Sequence, residues 1–266
     1  MSELLAMPRE WLASAGEIGR FAGNVISDVW GLRVFRFFGE TLRQAGILII
    51  GSTLVIWALV FITGLGTCGV GGAYFTEAQG APSYAGVFAA WCNLREAVPY
   101  VFGYMMSAKV GTGIVAEIGA MRISDEIDAL EVMGIDSLTF LCATRLLAAW
   151  IVLPFIYIGA VGVAYLGSYL AVVQQIGYVS SGGYLLIFWQ FQNAPDFLFS
   201  LIKGMAMATT IVLVGCYYGY NASGGPVGVG TATAKSMVVN LVLVNLIGMF
   251  GTQIFWGSNA RAPIGG

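Results

Sequence analysis

From Gln44 to Thr76 the chain carries no charged side chain, and its apolar part, roughly residues 45–65, is long enough to cross a bilayer as a helix. No other feature restricts the fold as much, because backbone in hydrocarbon must satisfy its own hydrogen bonds. Similar runs recur. One begins after Arg145 and stays apolar to about Val173. Another covers about 197–220 and contains Lys203, and a last one covers about 236–256. The run after Arg145 would make a helix of about 40 Å, so it must tilt or project beyond the core. A fifth segment, about 84–109, is apolar apart from Arg95, Glu96 and Pro99. The reading is an all-α membrane protein with five transmembrane helices. Residues 1–43 form an N-terminal amphipathic interfacial segment, 44–257 the transmembrane domain and 258–266 a short external tail.

Composition agrees. Of 266 residues, 58% are hydrophobic and 10% charged, with mean hydropathy +0.82. Soluble domains carry about 25% charged residues. A soluble enzyme, a disordered chain and a nucleic-acid binder are therefore excluded, and a net charge of −2 offers no footprint for a polyanion. The absence of histidine removes the commonest proton shuttle and metal ligand. The 37 glycines suit close helix packing in a membrane.

Orientation follows from the basic residues. Arg9, Arg20, Arg33, Arg36 and Arg43 precede the first span. Lys109, Arg122 and Arg145 lie in or beside the second-to-third connection, and Lys235 opens the fifth span. The connections 66–83 and 174–195 have no Lys or Arg, and Arg261 is the exception on their side. The N-terminus is thus expected in the cytoplasm and the C-terminus outside. Residues 1–40 carry charges throughout, which does not fit a cleavable signal peptide.

Within 17–40, Ile18, Phe21, Val25, Val29 and Leu32 recur at helical spacing with charges between them, as in a helix lying in the interface. The Gly/Ser-rich stretches 64–72 and 221–230 read as loops. Cys68, Cys92, Cys142 and Cys216 have no metal spacing and read as small apolar residues. A Cys68–Cys92 bond requires both on the oxidising side. Trp57, Trp91, Trp150, Trp189 and Trp256 fall near span ends or outer loops, as in interfacial belts.

The connection EIGAMRISDEIDALEVMGIDSLTFLCATR, residues 117–145, holds the densest chemistry. Ser124 can cap a short helix with Asp125 and Glu126 in its first turn, and Gly134 can end it. Ile127, Leu130 and Met133 make an apolar stripe beside Asp125, Glu126, Asp128 and Glu131. An acidic amphipathic helix between two spans suits docking of a cytosolic partner.

Residues 116–136 resemble the signature of the MlaE/YrbE family of lipid-transport ABC permeases, with Ala116, Glu117, Gly119, Met121, Arg122, Ile127–Glu131, Met133, Gly134 and Asp136 in place. Ser137 stands where that family usually has proline, which leaves the following turn less rigidly fixed. Arg95-Glu96 with Pro99, Lys109-Val110-Gly111, Asp196, Lys203, and the runs from Gly219 to Ala222 and Gly224 to Gly230 are also similar. The resemblance covers roughly 40–257 and looks most like the actinobacterial Mce-associated YrbE branch. It implies a permease dimer, homo- or heteromeric, in the inner membrane. Two separate ATPase subunits would use ATP and Mg, and external MCE proteins would pass on fatty acids or related lipids. This chain itself would bind no cofactor. The expected ATPase-coupling residues are Glu117, Arg122, Asp125, Glu126, Asp128, Leu130, Glu131 and Met133. The expected polar residues of the transport path are Arg95, Glu96 and Lys203.

Gly111-x-Gly113-x-x-Ala116 lacks the strand that a dinucleotide site needs, so close packing explains its small residues. No G-x-x-x-x-G-K-[ST] occurs, so energy must come from a partner. Gly215 and Gly219 suggest close helix contact. Asp196 and Lys203 lie two helical turns apart on one face. An ion-gradient-driven transporter or channel is the alternative, against which stand the few intramembrane acids. A lipid-modifying enzyme would need clustered polar groups that are absent.

Overall fold

The computed structural model describes residues 2–258, with side chains from Gly16 onward. Arg9 and Arg261, and most of the expected external tail, lie outside the described residues or side chains. Every regular element described is helical: α1 (Ser2–Trp30), α2 (Phe38–Thr63), α3 (Gly72–Ala78), α4 (Ala85–Trp91), α5 (Val98–Met105), α6 (Thr112–Ile123), α7 (Glu126–Val132), α8 (Thr144–Tyr169), α9 (Ser181–Gln190), α10 (Ala194–Tyr220) and α11 (Gly225–Trp256). Among the described residues, four helical runs are long and apolar enough to cross a membrane: Arg33–Ala78, Thr139–Ile176, Ala194–Tyr220 and Gly225–Trp256. The second expected span, about 84–109, lies in a continuous helical run from Ala85 to Ile123 that is not among those four.

Wider π turns interrupt these helices at Gly64–Gly71, Cys92–Ala97, Met106–Gly111, Thr139–Ala143 and Leu170–Ile176. The glycine-rich stretch 64–72 is therefore not a loop. Its glycines admit another backbone: a Cβ on Gly64 would sit 2.5 Å from the Ala164 carbonyl oxygen. Only the first part of 221–230 is a turn, since α11 begins at Gly225. The interfacial segment also differs. α1 ends at Trp30, Leu32 turns through φ 60°, and a 3₁₀ turn over Arg33–Phe37 leads into α2.

The chain divides into two compact units. The first takes in the chain up to Ile47, Ser107–Ile151 and Thr209–Asn240. Here the close contact suggested by Gly215 and Gly219 is present. Cβ atoms on these residues would lie 3.1 Å from the Gly111 carbonyl and 2.9 Å from Ile118 Cβ. Gly113, by contrast, meets nothing. α1 is held by Phe21, edge-on to Tyr217 at 5.6 Å, and by Glu17, which accepts from Tyr217 Oη at 3.2 Å.

The second unit comprises Leu48–Met106, Val152–Ala208 and the chain from Leu241 on. Cys68 and Cys92 are bonded, Cα to Cα 5.6 Å, so the reading of all four cysteines as mere apolar residues is corrected for these two. Only Cys142 and Cys216 are buried free thiols. The bond joins two π turns. Nearby, Asn93 Nδ2 donates to Ser168 Oγ and Ser168 Oγ donates to Gly64 O, each at 2.7 Å. Tyr165, Tyr184 and Phe188 pack edge-on or stacked beneath α9.

Four of the five tryptophans make specific bonds within the protein. Trp57 donates to Ile156 O, Trp150 to Thr209 Oγ1, Trp91 to Phe191 O and Trp256 to Asp196 Oδ1. Only Trp189 of the five is exposed. Trp256 is buried and the other three half-buried, and each finds an acceptor for its indole N–H.

Candidate functional site

Arg95 and Glu96 occupy the π turn Cys92–Ala97. Val98 N–H bonds the Asn93 carbonyl, five residues back, rather than that of Leu94. Pro99 has no N–H to offer. The carbonyls of Leu94 and Arg95 take side-chain donors from α10 instead. Ser200 Oγ donates to Leu94 O, and Lys203 Nζ donates to Arg95 O at 2.8 Å. The same ammonium reaches Glu96 Oε2 at 3.2 Å and Thr252 Oγ1 at 2.7 Å. Thr252 Oγ1 is also 2.6 Å from Glu96 Oε1, to which it can donate.

Two turns before Lys203, Asp196 Oδ2 lies 2.7 Å from Arg95 Nη2, and Trp256 Nε1 donates to Asp196 Oδ1 at 3.0 Å. The guanidinium stacks over Trp91 with Cζ 4.3 Å from the ring centroid. The site thus contains two cations and two anions, Arg95 with Asp196 and Lys203 with Glu96, and is neutral as a whole. Asp196 and Lys203 have side-chain exposures of 1% and 0%, whereas Glu96 keeps 43%. Charge at such depth is tolerated only when paired and hydrogen-bonded.

The expected residues Arg95, Glu96 and Lys203 are therefore brought together. Asp196, Thr252 and Trp256 complete the site and were absent from the expected set. Asp196 was legible in part: it stands seven residues before Lys203, and Arg95 and Glu96 supply one partner for each. Nothing in a lone Thr252 and Trp256 marked the fourth and fifth donors.

The connection forms a second cluster, in the first unit. Gly134 ends α7 as expected, at φ +76°, with its N–H on Glu131 O and that of Ile135 on Leu130 O. Ser124 does not cap α7. Its hydroxyl bonds back to Ala120 O at 3.0 Å and reaches Glu126 Oε1, because Asp125 takes the turn at φ 58°. Arg122 pairs with Asp128 at 2.7 Å, and Arg145 pairs with Glu117 at 2.8 Å. Ser137 Oγ donates to Glu131 Oε1 at 2.7 Å and meets Tyr220 Oη at 2.9 Å. A hydroxyl tether replaces the rigidity that proline would give, so the turn is not loose. Asp136 accepts from Leu138 N, Thr139 N and Thr139 Oγ1 and starts the next helix.

Of the stripe on α7, Ile127 is fully buried and Leu130 half-buried. Val132 and Met133 are exposed by 88% and 66%, beside exposed Asp125, Glu126, Asp128 and Glu131. The eight connection residues therefore divide into an inner set that fixes α7 and an outer set that faces away. Among the described residues, no group of acidic or cysteine side chains could hold a metal ion.

Long apolar helices, a neutral buried charge network and an exposed acidic helix on a braced connection define an all-α, multi-pass membrane protein. Residues 41–254 match the family model for the permease MlaE, and the chain belongs to that family. It is 32% identical over 162 residues to a probable ABC transporter permease protein of Rickettsia bellii, covering 61% of this chain and 62% of that one. The chain thus spans just under two thirds of that relative's length. It is 26% identical over 231 residues to the intermembrane phospholipid transport system permease protein MlaE of Haemophilus influenzae, covering 85% and 86%. The chloroplastic protein TRIGALACTOSYLDIACYLGLYCEROL 1 of Arabidopsis thaliana is 28% identical over 149 residues, 56% of this chain and 42% of that one.

Proposed function

We propose that this chain is the membrane permease subunit of an ATP-driven lipid transporter. It works with a second permease chain, a separate cytosolic ATPase dimer and external MCE proteins. The cargo is a phospholipid, a fatty acid or a related hydrophobic lipid. Family membership supports this reading, and the relative from Haemophilus influenzae bears a phospholipid-transport name. The observation that carries it is the exposed end of α7. Val132 and Met133 face outward among four carboxylates, on a helix braced by Arg122–Asp128 at one end and Glu131–Ser137–Tyr220 at the other. A rigid, acidic, greasy-tipped lever is what a motor subunit needs in order to move membrane helices.

Ion-gradient coupling is disfavoured, because Arg95, Glu96, Asp196 and Lys203 neutralise one another. The cytoplasmic N-terminus and outward C-terminus in the inner membrane fit the arginine-rich start. They also fit the Cys68–Cys92 bond, since disulfides persist on the oxidising side. On this topology the stretch from about 84 to 109 serves as the second of five spans.

The test is Val132→Asp with Met133→Asp in the full complex. Neither side chain makes a described hydrogen bond or ion pair, so membrane insertion is expected to stay normal while the ATPase no longer co-purifies. Undiminished ATPase recovery would remove α7 as the dock.

A further inference from the structure

The break between α1 and α2 opens a cavity of about 620 Å³, and no part of the proposed lipid path uses it. Arg33, Arg36 and Phe37 line one wall, and Gly134, Ile135 and Asp136 line the other. Both arginines are exposed. Arg33 holds Asp28 at 3.3 Å, while no described ion pair engages Arg36. The carboxylates nearby are already committed. Asp28 accepts from Arg33, Asp136 accepts from the start of the helix at Thr139, and Glu40 accepts from Arg43 and Gln44. Two guanidinium forks therefore remain with donors to spare, and their geometry suits phosphate.

The surroundings say where such a phosphate would come from. Trp30, Leu32, Phe35 and Phe38 are exposed by 77%, 66%, 52% and 43%, with Phe35 and Phe38 stacked. Aromatic and apolar side chains mixed with arginines are the pattern of a surface seated in a lipid headgroup layer. A soluble anion would have no use for that greasy rim.

We propose that this cavity holds the phosphate of an anionic phospholipid from the adjacent leaflet, gripped by Arg33 and Arg36 while the lipid's chains run along Trp30, Leu32 and Phe35. The bound lipid pins the start of α2 against the turn that follows α7. The proposal rests on the interfacial placement of the α1–α2 junction.

The full-length protein is titrated with dioleoyl-phosphatidylglycerol or dioleoyl-phosphatidylcholine, and bound lipid is counted by native mass spectrometry. Arg33→Gln with Arg36→Gln is expected to cut the preference for phosphatidylglycerol by about thirtyfold, which at about 1.4 kcal/mol per tenfold is the loss of about 2 kcal/mol from two arginines. Arg36→Gln alone, which breaks no described ion pair, is expected to lose part of it and guards against misfolding of the double variant. Millimolar inorganic phosphate is expected not to displace the lipid. An unchanged preference in both variants overturns the proposal, and so does displacement by phosphate, which would mean a free-anion site. Loss of co-purifying ATPase with the lipid preference intact would make the cavity a protein dock and overturn it too. A spin label at Trp30→Cys reads the placement separately. A water-exposed label sinks the interfacial reading, whereas a lipid-facing label with unchanged preference sinks the cavity alone.

Discussion

Pro99 has no amide hydrogen, so the Arg95 carbonyl one turn earlier lacks the donor an ordinary helix would give it. Lys203 supplies that donor and at the same time neutralises Glu96. One residue thus repairs a broken backbone ladder and balances a charge, which explains why a lysine can be fully buried here. Asp196 balances the charge of Arg95, and its second oxygen accepts from Trp256. Removing Asp196 would take the carboxylate partner from a guanidinium held among buried groups, a loss of about 3–5 kcal/mol. Asp196→Leu should therefore lower the thermal midpoint in detergent sharply. Arg95→Met combined with Asp196→Leu should recover most of it, because an apolar pair replaces the ion pair at little cost. If the double variant is no more stable than Asp196→Leu, the charge pairing is not what holds these helices.

At the scale of elements, the sequence was most informative where lipid chemistry leaves few choices. Uncharged runs marked the long helices because hydrocarbon permits little else. Gly215 and Gly219 marked a close approach because both are spaced on one face. The π turns were not legible: they arise when one helix shifts register to meet another, as at Leu94 and Ser200, and no local spacing records that. Glycine-rich 64–72 misled for a related reason, since glycine breaks helices in water but lets them touch in a membrane. The Cys68–Cys92 bond depended on the same hidden shift, because it ties two such turns together. Closing a loop with a sequence separation of 24 residues should contribute about 3 kcal/mol. Cys68→Ser, or a reductant that reaches the bond, should lower the melting midpoint. The two treatments together should do no more than either alone. An additive effect would mean the reductant acts elsewhere.

Across the whole molecule, charge is divided between two kinds of work. In the first unit, the acidic groups of α7 are exposed, and the pairs Arg122–Asp128 and Arg145–Glu117 brace the connection that carries them. In the second unit, four charges cancel within the protein, and only Glu96 keeps substantial exposure. That difference predicts a separation of functions. Glu96→Gln keeps the shape and leaves Lys203 its bonds to the Arg95 carbonyl and Thr252 but takes away its counter-ion, so the thermal midpoint should fall while ATPase recovery from the still-folded protein should match the parent. It removes the one carboxylate of the buried network that a passing polar headgroup could meet. One charge-assisted hydrogen bond is worth about 1.5–3 kcal/mol, so uptake of labelled lipid should fall by about tenfold or more. The α7 variants should show the reverse order, losing the ATPase first and transport as a consequence. Normal uptake by Glu96→Gln would confine the network to holding helices together, and the polar point of the path would have to be sought elsewhere.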